Sequence, residues 1–368
     1  MTERERLLTV LAGDTPDQVP WFPDLGHWYR SEAYERWDLY APSKIDQGIY
    51  DLHREVKGGA YIDAGALYKD EYTDGVEHTR EMIGELAVER FVTPIGEIRM
   101  ERTWSPLSFS WDVTKLMIET PKDLEILTYA IQRKKIIPNI EYWDVIESYF
   151  KDIGLGFPHL GYTGLGFLIS YYMGVENTIY ATFDYPDLFK KFVDTHNAKQ
   201  MEVVNICVKS DAPHFIFGDN LSGDIQPPSL FNVYSFDQYK NIADTVHAAG
   251  KTVSAHLDGM LNEIITVVSH TGVDVADAVT PTPTGDLTPM EIRQQAGDKM
   301  ILFGGIAPNM WMPETPEKDF VQHVKDWLAL KKISSRLVQS AGDQVPPGTK
   351  LQRIKLVRDI VDEFGRYE

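Results

Sequence analysis

Apolar positions along the chain recur in short runs, each followed by a turn and then by a longer stretch with the 3.6-residue period of an amphipathic helix. The runs at residues 19–24, 60–64, 155–160, 214–219, 252–256, 273–278, 300–305 and 337–341 read as strands. From residue 214 onward the alternation is regular, with helical patterns at 230–249, 261–271, 289–296, 316–330 and 350–364 each following one strand. Strands that alternate with helices of this length pair in parallel, and eight such units close a barrel. The expected fold is therefore α/β, a single (β/α)8 TIM barrel over residues 1–368 with an N-terminal extension. An open doubly wound sheet is the main rival. One stretch breaks the rhythm: residues 86–92, the turn Pro94-Ile95-Gly96 and residues 97–100 read as a β-hairpin. It is placed near the barrel mouth, inside an insertion covering about residues 70–150, in which 121–150 reads as one helical stretch.

Composition narrows the partners. The balance of 36 Lys and Arg against 55 Asp and Glu gives −19, which repels phosphate backbones and anionic membranes. Apolar residues at 43% supply a substantial core. The single cysteine, Cys207, lies in an apolar helical run, so neither a disulfide framework nor a Cys-rich zinc site is available. No signal-like apolar segment follows Met1, and no run approaches the roughly 18 apolar residues of a membrane span, so a cytoplasmic location is expected. Neither GxGxxG nor GxxxxGK[ST] occurs, which disfavours dinucleotide and ATP chemistry.

In a barrel of this kind the chemistry sits where strands end. One strand ends in His256-Leu257-Asp258-Gly259, which puts two polar side chains on the same side of an extended chain. They form either half of a metal site or an acid–base pair; alternatively Asp258 caps the following helix beside a turn glycine. Two further strands finish in Gly218-Asp219-Asn220 and Gly342-Asp343. One His with up to three carboxylates, His256, Asp258, Asp343 and Asp219, suits zinc, manganese or iron. Trp28 and Tyr29 beyond the first strand, with His159, Tyr162 and Asn220 at later strand ends, are candidates for a wall around an aromatic or apolar substrate. His27, His159 and His214 are lone histidines, whose commoner role is structural.

These residues resemble the uroporphyrinogen decarboxylase-like superfamily, a group of (β/α)8 barrels that also contains cobalamin-dependent methyltransferases. The resemblance runs through Gly13-Asp14-Thr15-Pro16, Thr93-Pro94-Ile95-Gly96, Gly218-Asp219, His256-Leu257-Asp258-Gly259, Thr280-Pro281-Thr282-Pro283, Gly304-Gly305-Ile306 and Gly342-Asp343. Porphyrinogen decarboxylases carry an arginine-rich motif after the first strand; here Leu25-Gly26-His27-Trp28-Tyr29-Arg30 stands in its place. The thiol methyltransferases of the group hold zinc with His-x-Cys and a later Cys, positions matched here by His256, Asp258 and Asp343. The branch implied by the aromatic and oxygen-rich mouth is the methyl donor:corrinoid methyltransferases, including aryl O-demethylases. That resemblance implies zinc, a separate corrinoid protein carrying cobalamin, a small methoxylated aromatic donor, and Asp219, His256 and Asp258 as catalytic residues; a homo-oligomer is compatible with it. The alternatives are a decarboxylase of a small carboxylate, in which Asp219 or Asp258 protonates or orients the substrate, and a non-enzymatic binding barrel.

Overall fold

The computed structural model describes residues 1–40, 46–63 and 65–368, with backbone alone at Ile62 and Asp63. Strand β1 (Ala60–Asp63) comes first; Ala64, the last residue of the expected 60–64 strand, lies outside the described residues. Antiparallel strands follow: β2 (Tyr68–Tyr72), β3 (Glu77–Ile83), β4 (Leu86–Thr93), β5 (Gly96–Ser105), β6 (Ser110–Lys115) and β7 (Lys134–Pro138). The rest are parallel: β8 (Gly154–Phe157), β9 (His214–Phe217), β10 (Thr252–His256), β11 (Val275–Val279), β12 (Ile301–Ile306) and β13 (Leu337–Ala341).

The parallel neighbours run in a cycle. β9 to β13 form one sheet in chain order, and β1 pairs with β8. A bridge from His159 to Ile216 joins β8 to β9, a bridge from Asp24 to Tyr61 joins the first segment to β1, and a bridge from Trp21 to Gln339 joins it to β13. Residues 19–24 thus occupy the place of the expected first strand, but touch their neighbours at single points. Pro20 and Pro23 are the reason, because each removes an N–H from the ladder. What remains is a few bonds, such as Phe22 N–H to the Gln339 carbonyl at 2.9 Å.

The parallel strands β8, β9, β11, β12 and β13 are buried at every position, as expected when helices cover one face and the lumen the other. Paired residues share a face, so Phe22, Tyr61, Phe157, His214 and Phe303 meet inside, with Tyr61 and Phe157 ring centroids 4.9 Å apart. Helices begin where the sequence supplies caps: Thr120 and Thr288 each close a capping box ahead of a proline at the start of Pro121–Gln132 and Pro289–Ala296.

The expected hairpin is β4–β5, and a strand on each side extends it to a four-stranded antiparallel meander, β3-β4-β5-β6. One expectation is corrected: the 121–150 helix is broken by β7, which pairs with β2. Helix Pro121–Gln132 stops as the Arg133 guanidinium turns back to the Tyr129 carbonyl, and Ile136-Ile137-Pro138 favours extended chain. The meander packs against helices 121–132, 164–167 and the start of 186–207 in its own apolar cluster, separate from the main core. Among the described residues no helix is long and apolar enough to cross a membrane.

Candidate active site

At the end of β10 the ladder continues past the strand proper. Leu257 N–H donates to the Asp277 carbonyl, and Asp258 N–H donates to the Leu221 carbonyl at 3.0 Å. Leu221 N–H in turn reaches the His256 carbonyl. The segment from His256 to Asp258 is therefore held by β11 on one side and by the loop after β9 on the other. Asp258 does not cap the next helix, Ile264–Ser269, which starts without a side-chain cap, and the amides of Leu261 and Asn262 ahead of it are taken by the Asp286 carboxylate.

His256 is paired with Asp277 of β11, whose Oδ2 lies 2.8 Å from the imidazole Nδ1 and also accepts from the Tyr61 hydroxyl at 2.9 Å. The other ring nitrogen, Nε2, faces Asp343 Oδ1 at 3.8 Å. Burial pulls the imidazole down, but the hydrogen bond and charge of Asp277, with Asp343 and Asp258 beyond, push it up to about 9. Burial, reinforced by Asp343, raises Asp258 to about 6. Burial and the same neighbour raise Asp24, against the Gly26 amide bond, to about 8. Among the described residues none of Asp24, Asp258, Asp277 and Asp343 forms an ion pair with Lys or Arg. Around His256 the mouth is acidic.

Beside it, at the ends of β8 and β9, lies an aromatic group. Tyr162 packs on Gly218, stacks with His159 at 5.7 Å and donates to Asn220 Oδ1 at 3.5 Å, while the Tyr171 hydroxyl reaches that of Tyr162 at 3.2 Å. His159 Nδ1 accepts the Gly161 amide at 2.9 Å, which fixes its ring.

The structure thus brings together His256, Asp258 and Asp343, and separately His159, Tyr162 and Asn220. It does not bring Asp219 to the mouth. The backbone there takes φ 142°, with Asn220 at 47°, and returns the carboxylate to the interior, where it is fully buried. Asp219 accepts from Thr163 N–H at 2.8 Å, the Thr163 hydroxyl at 2.6 Å and the Tyr239 hydroxyl at 3.0 Å. Gly166 makes room for it, since a Cβ there would lie 2.1 Å from Oδ1. Its pKa, raised by burial against these bonds, lies near 7. Both oxygens are occupied, so Asp219 is a clasp and not a ligand. Trp28 and Tyr29 are likewise engaged elsewhere: Trp28 is buried with its indole N–H on the Thr349 carbonyl, and Tyr29 donates to Asp46. His27 contacts the Phe109 carbonyl in the β5–β6 turn, which brings the meander to the side where the first segment ends. His214 is boxed between Thr252 and Ser254 in the lumen. Asp24, Asp277, Tyr61 and Tyr171 are the participants that residue patterns did not single out.

As to a metal, the donor chemistry fits a borderline divalent ion: one imidazole nitrogen whose partner nitrogen is held by a carboxylate, with carboxylate oxygens next to it. Among the described residues, however, no three His, Cys, Asp or Glu side chains stand close enough together to form a ready-made ligand set.

The family model of uroporphyrinogen decarboxylase (URO-D) matches residues 116–364, and the chain belongs to that family. A methyltransferase from Methanosarcina mazei superposes with a TM-score of 0.59 at 15% identity, over 99% of each chain, and shows the same fold. An octameric ribulose-1,5-bisphosphate carboxylase/oxygenase from Pyrococcus horikoshii OT3 reaches a TM-score of 0.29 at 10% identity, over 64% of this chain and 47% of that one. No curated protein is significantly similar in sequence.

Proposed function

We propose that the chain is a (β/α)8-barrel methyltransferase that moves a methyl group from a small methoxylated aromatic to the cobalamin of a separate corrinoid protein. The observation that carries this reading is His256: Asp277 fixes its Nδ1 at 2.8 Å and leaves Nε2 directed at Asp343. His256 and Asp343, which already face each other, would hold a zinc ion once Asp258 closes on the pair. Bound there, zinc would draw electron density from the ether oxygen and make the phenolate a better leaving group. Tyr61 holds Asp277, and Asp277 holds the imidazole plane, so the histidine is set before the donor arrives. Tyr162, His159 and Tyr171 supply aromatic faces for the donor ring. The carboxylates of Asp24, Asp258, Asp277 and Asp343 gathered at the mouth would repel a polycarboxylate substrate.

The test is an anaerobic assay in which methoxylated aromatics are offered to cob(I)alamin and the growth of methylcob(III)alamin is followed by absorbance, with metal content measured in parallel. The expected result is methyl transfer that requires stoichiometric zinc and is lost with it in His256→Ala. Preparations that hold no metal after zinc or manganese reconstitution would overturn the mechanism. The family match supports a second reading, decarboxylation of a small carboxylate. There the C–C bond would break, CO2 would leave, and the electron pair left on carbon would take the proton of the His256 imidazolium. Release of CO2 with neither corrinoid nor metal would favour it.

A further inference from the structure

The segment from Thr163 to Tyr172 walls the mouth and is tied down at both ends. Helix Gly164–Phe167 passes directly into a π-turn, Leu168–Tyr172, closed by Met173 N–H on the Leu168 carbonyl at 2.8 Å. Turns of this wide type gather at functional sites. Thr163 is clasped by Asp219 at one end, and the Ser170 hydroxyl bonds the Asp219 carbonyl at 3.1 Å. At the other end the Tyr172 hydroxyl reaches out of the segment altogether, to Glu89 Oε1 of the meander at 2.6 Å.

Glu89 is 2% exposed. The same Oε1 faces His78 Nε2 at 2.8 Å and accepts Arg80 Nε at 3.0 Å, and His78 is stacked flat on Phe91 at 4.2 Å. This ion pair joins the buried carboxylate to a guanidinium whose side chain is 54% exposed. Its effect is on position: one oxygen, fixed by two meander side chains, sets where the Tyr172 hydroxyl must be. Tyr171 is the neighbouring residue, and its hydroxyl meets Tyr162, which bonds Asn220.

We infer that Glu89 and Tyr172 are positioning residues that fix the π-turn from the meander side and thereby hold Tyr171, Tyr162 and Asn220 as the wall of the mouth. The inserted meander is on this view a buttress for the donor seat. The inference rests on the proposed reading only in taking that wall as the donor's seat.

The experiment is hydrogen–deuterium exchange by mass spectrometry on the whole chain as wild type, Tyr172→Phe, Glu89→Gln and Val88→Ala, with KM and kcat for guaiacol measured on each. Tyr172→Phe keeps the ring and removes one hydroxyl, and Val88→Ala loosens the same strand without touching the bond. Amides at 168–174 and 218–222 are expected to exchange about tenfold faster in Tyr172→Phe and Glu89→Gln, with a several-fold rise in KM and kcat little changed. In Val88→Ala the rise is expected at 77–115 alone. Wild-type exchange at 168–174 in both Tyr172→Phe and Glu89→Gln overturns the inference, and so does the same spread of exchange in Val88→Ala. Faster exchange with an unchanged KM leaves the coupling standing and removes the donor seat from the proposed function.

Discussion

Asp277 does the most for His256 and was the least visible in the sequence. It holds Nδ1 at 2.8 Å and is itself held by Tyr61 at 2.9 Å. Asp277→Asn keeps the shape and removes the charge, so zinc affinity or turnover is expected to fall about 10- to 100-fold. Competition with a chelator and the methyl-transfer rate measure this; values within twofold of wild type would refute the role. The residues legible in the sequence, His256, Asp258 and Asp343, all stand at strand ends, and Asp258 and Asp343 adjoin a glycine, where turn chemistry advertises them. Asp277 lies inside Val275-Ala276-Asp277-Ala278-Val279, with no turn signal, and Asp24 sits between Pro23 and Leu25. An acidic residue within an otherwise apolar, fully buried strand was the available signal. Asp219 misled for the converse reason: its Gly-Asp context is the same as that of Asp343, and only the φ of 142° sends its side chain inward.

Among the elements, the parallel strands were legible because burial on both faces makes them continuous apolar runs. Of the meander only the β4–β5 hairpin is legible, because the outer strands face water: β3 reads Glu77-His78-Thr79-Arg80-Glu81, which carries no apolar alternation. Its buried charge gives a pH dependence. Burial alone would raise Glu89, but His78, Arg80 and Tyr172 hold it down at about 2, below its ordinary 4.5. A carboxyl depressed on folding stabilises above its unfolded pKa, and that stability is lost as the pH falls from about 4.5 to about 2. The amount is on the order of 3 kcal/mol, so urea denaturation of Glu89→Gln is expected to be flatter than wild type over that window and less stable above it. Parallel profiles would refute this.

For the whole molecule, the cycle of parallel neighbours depends on contacts between distant parts of the chain. Glu3 gathers two of them: its carboxylate accepts the Trp21 amide at 2.8 Å and Arg358 at 2.8 Å, beside the local Arg6 at 2.6 Å. With Glu3 and Arg358 side chains only 11% and 7% exposed, Glu3→Ala removes the buried half of the Arg358 pairing and leaves the guanidinium to Asp362 alone, at 2.6 Å. A loss of about 2 kcal/mol in urea unfolding is expected, and a loss under about 0.5 kcal/mol would show the clasp to be idle.

The prolines that reduce the first segment to isolated bridges act also while the chain is being made. Trp21 cannot meet Gln339 until the ribosome has added the residues between them, roughly 15–60 s at 5–20 residues per second. Through that interval the segment is an unmatched, aromatic-rich edge, the kind of surface on which nascent chains pair with one another. Pro20 and Pro23 deny such a neighbour the N–H groups it would need. An irregular first strand is the form in which this edge can wait for its own partner.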